Sequence, residues 1–399
     1  MQVNVHGLSL SLWPWTSRKQ NYHPTLPLYT FCPAHRSKQE TLDTRRRRAF
    51  SGTHQPLTTN GTPSADACDT MIQITGLSEV SGRYKALLLD QFGVLHDGRR
   101  PYPGAVEAVE AAADSGLRLI IISNSSRRSG GTLDKLAAMG FERRCFEGVV
   151  TSGELTHRYL TLRPDDWWSG LGSRCLHINW SRRGPASLED TGLQVVADPR
   201  DADFFLAHGT EALSLPGGGV EERPLEELKA LLRGAAEEAV RARTAPPPLV
   251  VANPDVVTVD GDDLVAMPGS LAAVYSQAGG PVVLMGKPSP LIYMACGEML
   301  GLAPSEMLAV GDSLEHDVAG ALAAGVDSLF IAGGIHAREL LVEREGSGES
   351  VRGQQHSAQK RVDVEALQRL VKNLRPAVSR VGAARDVKVP TYVAPHLVW

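Results

Sequence analysis

From Tyr84 onward the chain alternates short, wholly apolar runs with stretches whose apolar residues recur at helical spacing. Lys85-Ala-Leu-Leu-Leu-Asp90 predicts a strand buried on both faces. Pro103 to Ser115 follows as a helix whose stripe is Ala105, Val106, Val109 and Ala113. Leu117 to Ser123 is a second buried strand, Thr132 to Met139 a helix stopped by Gly140, and Gly148 to Ser152 a third strand. Such alternation implies right-handed crossovers and a parallel sheet. Residues 153–277 hold strand candidates of their own: Cys175 to Asn179, Phe204 to Ala207 and Leu249 to Ala252. A long charged helix from Pro224 to Arg243 lies among them, and the Thr244-Ala-Pro-Pro-Pro248 stretch reads as a hinge. The first pattern then resumes with strand Val282 to Met285, helix Pro288 to Leu300, strand Met307 to Val310, helix Val318 to Gly325 and strand Ser328 to Ile331. The expected fold is α/β: a Rossmann-like parallel sheet core interrupted by an inserted α/β domain.

Segment boundaries follow. Residues 71–155 form the first part of the core, 156–277 the insert and 278–343 the second part of the core. Residues 344–399 supply a polar loop to about residue 360, a helix from Val362 to Leu374 and an extended tail. Residues 1–70 differ from all of this. They are rich in Ser, Thr, Pro, His and Arg, contain no acid before Glu40, and show no sustained apolar periodicity, so they cannot bury a core. Eight Lys/Arg, including Arg45 to Arg48, give the first 50 residues a charge of +6, within a chain whose total is −4. An Arg- and hydroxyl-rich, acid-poor leader reads as an organelle transit peptide, with plastid favoured over mitochondrion. The plainer alternatives are a disordered basic extension or a misplaced start codon, which would leave the protein cytoplasmic.

The body that follows is acidic, which argues against nucleic acid as a partner. No apolar run approaches the roughly 18–20 residues that span a bilayer, so no membrane anchorage is expected. The five cysteines are scattered and show no Cys-x-x-Cys pair, unlike a disulfide scaffold or a zinc knuckle.

Polar residues collect just past the C-terminal ends of the expected strands, where open parallel sheets place their ligands. Four groups stand out: Asp90-Gln-Phe-Gly93, Ser123-Asn124-Ser125, Gly286-Lys287-Pro288, and Gly311-Asp312-Ser-Leu-Glu-His-Asp317. Asp90 and Asp312 could share one Mg²⁺, a cation that favours carboxylate, carbonyl and water oxygens. With Lys287 that cation would neutralise a phosphate and let Asp90 attack phosphorus. Each group alone has a plainer reading: a turn at Asp90, a helix cap at Ser123, a solvated Lys287, and caps of the next helix at Asp312 and Asp317. All four in this order, each after a strand, make coincidence improbable.

The set closely resembles the haloacid dehalogenase superfamily over about residues 82–340. Asp90 opens the first motif, Ser123 is the second, Lys287 the third, and Asp312 with Asp317 the fourth. Val251-Ala-Asn-Pro-Asp255, then Met267-Pro-Gly-Ser, then Gly286-Lys-Pro resembles subclass IIA (NagD-like), whose α/β cap is inserted between the second and third motifs. The resemblance implies a phosphatase-type hydrolase of a small phosphorylated metabolite, working through an aspartyl-phosphate. Its catalytic residues would be Asp90, Ser123 and Lys287. The metal ligands would be Asp90, the Phe92 carbonyl and Asp312, with Asp317 holding metal-bound water or its neighbours. Gly93, Ser123, Asn124 and Lys287 would hold the phosphoryl group. Asn253 and Asp255, where the cap rejoins the core, would form a hinge or touch substrate. The resemblance admits a homodimer through the cap.

One position departs from the pattern. Phosphatases of the superfamily carry a second Asp two residues after the nucleophile, where this chain has Phe92. A phenyl ring cannot protonate a leaving group, and losing a positioned acid/base costs ~10²–10⁴-fold. Three readings stay open. In the first, the substrate carries a good leaving group, as acyl phosphates, pyrophosphates and enol phosphates do. In the second, His96 or Asp97 supplies the proton, against the simpler reading of His96-Asp97-Gly98 as a turn. Or the protein binds a phosphorylated ligand without turning it over.

Overall fold

The computed structural model describes residues 71–260, 263–343, 360–380 and 389–399. The expected leader and most of the polar loop after residue 343 lie outside them. The first block runs β1 (Ile72–Gln73), β2 (Ala86–Leu89), α1 (Ala105–Asp114), β3 (Arg118–Ser123), α2 (Thr132–Ala138), β4 (Phe146–Thr151), α3 (Ser152–Leu162) and the single turn α4 (Asp166–Ser169). The middle block holds β5 (Arg174–Asn179), β6 (Gln194–Val195), β7 (Phe204–Ala207), β8 (Ala212–Ser214), β9 (Val220–Glu222), α5 (Leu225–Ala242) and β10 (Leu249–Val251). It continues through β11 (Val257–Asp260), β12 (Asp263–Ala266), α6 (Gly269–Gln277) and β13 (Val282–Leu284). The last block has α7 (Pro290–Leu300), β14 (Met307–Gly311), a π-helical turn at Leu314–Val318, α8 (Ala319–Ala323), β15 (Asp327–Ile331) and α9 (Ala337–Leu340). It ends with β16 (Leu341–Glu343), β17 (Lys360–Val362), α10 (Val364–Arg380) and β18 (Tyr392–Ala394).

The core is a parallel seven-stranded sheet in the order β1-β18-β15-β14-β2-β3-β4. Its strands are apolar without alternation because both faces are covered. Leu87, Leu89, Leu119, Ile121, Leu308 and Val310 face α1 through Ala105, Ala108, Val109 and Ala112. Their neighbours Ala86, Leu88, Ile120, Ile122, Met307 and Ala309 face α7 through Ile292, Ala295 and Cys296. The chain runs outward from β2 to β3 and β4 on one side and places β14 on the other. The gap between the C-terminal ends of β2 and β14 is therefore the topological switch point at which such sheets bind ligands.

The insert folds on a second sheet, in the order β13-β10-β7-β5-β8-β9, with β6 beside β5. Here the structure corrects an expected boundary. Val282–Leu284 does not reopen the core at residue 278; it pairs in parallel with Leu249–Val251 and closes the edge of the inserted sheet. A three-residue apolar strand carries no mark of its partner, so its sequence suits either sheet equally. The tail is corrected too. Tyr392–Ala394 is an inner strand of the core, hydrogen-bonded between β1 and β15 and fully buried. The twin tryptophans act as a packing anchor: Trp168 has no exposed surface and meets Tyr159 and Trp167 edge-on. No helix among the described residues is long and apolar enough to cross a membrane.

Candidate active site

Asp90 leaves β2 with its N–H on the Val310 carbonyl of the neighbouring strand, 2.9 Å away, so the first acid sits beside the end of β14. Asp312 follows directly on β14. Asp317 comes from the π-helical turn, a rare geometry often found at functional positions. Carboxylate oxygens of Asp90, Asp312 and Asp317 lie within 4.8 Å of one another. Lys287 bridges two of them, its Nζ 2.9 Å from Asp90 Oδ1 and 2.7 Å from Asp317 Oδ1. The Lys287 and Asp317 side chains are about 5% exposed and that of Asp90 is 16% exposed.

The backbone fixes each acid. Asp317 Oδ2 accepts the Ser313 N–H at 3.1 Å, and Asp312 Oδ2 accepts the Ile335 N–H at 2.8 Å. Tyr293, buried under the turn, donates its hydroxyl to the Asp317 carbonyl at 3.0 Å. Gly93 has a positive φ of 78°, and a Cβ there would sit 1.7 Å from Asp312 Oδ2, so no other residue lets the first loop approach the fourth motif. Gly334 is likewise pressed against Asp312, with 2.1 Å for its hypothetical Cβ. Ser313, Tyr293, Gly334 and the Ile335 N–H were not singled out by the motif spacing. The one available signal was Gly333-Gly334 at the end of the strand beside β14.

Burial pushes the Asp90 carboxyl up to about 7, with Lys287 opposing and Asp317 adding to the rise. Burial, then Asp90 and Asp317, push Asp312 up to about 8. Burial disfavours the Lys287 ammonium, but Asp317 and Asp90 outweigh it and hold that group well above its ordinary range. Three acids thus face one ammonium, and the excess is negative charge in a poorly solvated crevice. An all-oxygen set of this kind suits a hard divalent cation. Asp90 and Asp312 would hold it, and the Phe92 carbonyl, which accepts no hydrogen bond among the described residues, has lone pairs to add.

Removing the ammonium should show this imbalance. Lys287→Met strands buried carboxylates, an event that typically costs about 3–5 kcal/mol. Groups whose folded pKa lies above the unfolded one lose stability as pH rises through the folded value, so the deficit should be largest near pH 8 and shrink toward pH 5. Urea denaturation at both pH values checks it. An equal deficit at both would mean packing, not charge, is what Lys287 supplies.

Several expected substrate contacts are reassigned. The Asn124 side chain does not face the crevice as a phosphoryl grip. Its amide donates to Asp255 Oδ1 at 2.8 Å and to the Lys287 carbonyl at 2.9 Å, and its oxygen accepts the Lys287 N–H at 2.7 Å. It staples the second motif to the third, which places Lys287. The Gly93 N–H is taken by the His96 carbonyl at 3.1 Å, so Gly93 serves approach and not anion binding. Asn253 is buried and accepts the Asp255 N–H at 2.9 Å, the contact of a hinge turn. Ser123 ends β3, and among the described residues its hydroxyl oxygen accepts only the long 3.3 Å bond from the Ser125 N–H, leaving its proton to donate. His96 and Asp97 belong to the turn: His96 Nδ1 accepts the Gly98 N–H, and Asp97 Oδ1 accepts those of Arg99 and Arg100. The Phe92 ring lies edge-on to His96 at 4.8 Å and remains 60% exposed.

Residues 87–193 match the family described as haloacid dehalogenase-like hydrolase, and residues 284–352 match a second description, HAD-hydrolase-like. The two stretches carry all four motifs; the first runs on into the insert and the second begins at the end of its last strand. Over these stretches the chain is similar to the haloacid dehalogenase-like hydrolases. It is 27% identical to the chronophin of Bos taurus over 281 residues, which are 66% of this chain and 86% of that protein. It is 26% identical to an acid sugar phosphatase of Staphylococcus aureus, over 64% of this chain and 90% of that one. Among solved structures, a haloacid dehalogenase-like hydrolase of Brucella suis covers 82% of this chain and 100% of its own, at 24% identity and a TM-score of 0.54. The insert lies between the second and third motifs, the position that the subclass IIA resemblance implies.

Proposed function

We propose that this protein is a Mg²⁺-dependent phosphatase of a small phosphorylated metabolite, with Asp90 as the nucleophile. The observation that carries this reading is the convergence of Asp90, Asp312 and Asp317 on one point with Lys287 between them. Chronophin aside, the curated relative from Staphylococcus aureus is named a phosphatase, which points the same way. When bound, Mg²⁺ supplies positive charge that offsets the phosphoryl oxygens and lowers the carboxyl pKa values. Lys287 contributes a second positive charge to those oxygens, and the Ser123 hydroxyl a hydrogen bond. Ionised Asp90 attacks phosphorus, the leaving oxygen departs, and the aspartyl-phosphate is then hydrolysed by water. Phe92 can give that oxygen no proton, so substrates whose leaving group is stable as an anion are favoured. An insert covering the sheet end would favour small molecules over protein surfaces.

A phosphatase panel in Mg²⁺ and in excess chelator tests the reading. Acyl, enol and aryl phosphates should be hydrolysed faster than alkyl phosphates, and chelator should abolish all turnover. Ligand binding with no turnover of any member would instead favour a silent sensor of phosphorylated metabolites, the reading Phe92 keeps in play.

The metal is also expected to act on stability. Asp90 and Asp312 titrate near 7 and 8 in the folded chain against an ordinary 3.8, so their contribution to stability falls as pH rises through that interval. A bound cation offsets this. Millimolar MgCl₂ should therefore raise the melting temperature by about 3–6 °C at pH 8, as a gain of 1–2 kcal/mol would in a domain of this size, and by less at pH 6. Differential scanning calorimetry reads the shift, and the same shift at both pH values would contradict the argument.

A further inference from the structure

Beside the second motif lies a cavity of about 340 Å³ that the chemistry above does not use. One wall is the loop after Ser123, with Ser126 and Arg127; the other comes from the insert, with Trp180, Arg183 and His208. Its size is that of a site for a small ligand. The two walls are tied together: Trp180 Nε1 donates to Ser126 Oγ at 3.1 Å, and Arg127 donates to the Arg183 carbonyl at 2.6 Å. Arg183 lies over the Trp180 ring, 5.2 Å from its centroid. Arg128, nearby, is neutralised by Glu154 through two bonds of 2.7 and 2.8 Å. Arg127, which also lines the cavity, is paired with no acid among the described residues.

The floor carries an oriented donor. Asn179 Oδ1 accepts the N–H groups of Trp180 and Ala186, which fixes the orientation of its amide. Asn179 Nδ2 therefore donates to Ser214 Oγ at 3.1 Å. The arrangement that uses every donor then has the Ser214 hydroxyl donating to His177 Nδ1 at 2.9 Å, and His177 Nε2–H donating to His208 Nδ1 at 3.0 Å. The last proton of the chain resides on His208 Nε2, and His208 lines the cavity. Burial holds His208 down to about 4 and His177 well below its ordinary range, so both stay neutral at physiological pH. A neutral ring locked in one tautomer is a directional N–H donor with no counter-charge of its own.

We infer that this cavity receives a second anionic group, a carboxylate or phosphate, on the leaving-group side of the substrate, held by Arg127 and the His208 N–H. The inference rests on the phosphatase reading and sharpens it: the metabolite is anionic at both ends. Ser123 and Arg127 are four residues apart, a backbone reach of at most roughly 14 Å, which keeps the two sites within the scale of one small metabolite. Ser214 and His177 are positioning residues, acting through His208.

Binding tests the cavity independently of turnover. Phenyl phosphate and its 3- and 4-carboxylated analogues are titrated calorimetrically, in MgCl₂, into full-length Asp90→Asn protein. At least one carboxylated compound should bind about tenfold more tightly than phenyl phosphate. Adding Arg127→Gln should bring that ratio close to one, and Ser214→Ala should reduce it severalfold by releasing the tautomer. Ratios cancel any general loss of fold or of phosphoryl binding. No advantage for either carboxylated compound, including no binding of any of the three, overturns the inference, as does an advantage that survives Arg127→Gln. Wild-type turnover of phenyl phosphate judges the phosphatase reading separately, so either idea can fail alone.

Discussion

Replacing Asp90 with asparagine should lower phosphatase turnover by on the order of 10⁴-fold or more, the scale seen when a covalent nucleophile is removed. The amide keeps the shape of the side chain and loses the attacking charge. The fold should survive, because Lys287 retains Asp317 at 2.7 Å and the charge removed is one that burial disfavours. Steady-state rates on an aryl phosphate, with melting curves alongside, check both halves of the statement. Residual turnover within tenfold of wild type would show that water, not Asp90, attacks phosphorus.

Replacing Phe92 with aspartate should raise kcat/KM for alkyl phosphates by about 10²-fold or more, the lower end of what a positioned acid/base supplies. The side chain removed is 60% exposed and contacts little beyond the His96 ring, so the swap does not open the core. The gain should be graded. Alkoxide leaving groups need a proton and gain most; acyl and aryl leaving groups need little and gain least. A plot of log rate against leaving-group pKa is therefore expected to be steep for wild type and shallow for the variant. Parallel lines for the two would mean that the missing acid does not limit this site.

Much of the architecture could be read from the chain because the core strands are buried on both faces. Phe204 to Ala207 forms a strand over its whole expected length, and the ends of β2, β3 and β14 carry their acids and hydroxyl where the motif order placed them. What could not be read was partnership. Val282–Leu284 and Tyr392–Ala394 are three-residue strands, and which sheet accepts them depends on contacts with segments 33 and more than 60 positions away. The same holds at the site. Asp90 and Lys287 were legible as separate motifs, but nothing local indicated that the Asn124 amide would be consumed in joining two loops, or that the Gly93 N–H would close a turn. Residue type announces a capacity to bind phosphate; the hydrogen-bond partners decide whether that capacity is still free. The cavity beside Arg127 was hidden for a like reason, since His177, His208 and Ser214 are brought together only by the pairing of β5 with β7 and β8.

Everything proposed for this site requires Asp90 and Asp312 to share one divalent ion beside Lys287. Crystals soaked in MnCl₂ and measured for anomalous scattering test it most directly, manganese standing in for magnesium as a hard, oxygen-seeking ion. A single strong anomalous peak is expected, bonded to carboxylate oxygens of both Asp90 and Asp312 at roughly the 2.0–2.1 Å of magnesium or slightly longer. A peak bonded to only one of the two, or no peak in the crevice at saturating metal, would contradict it.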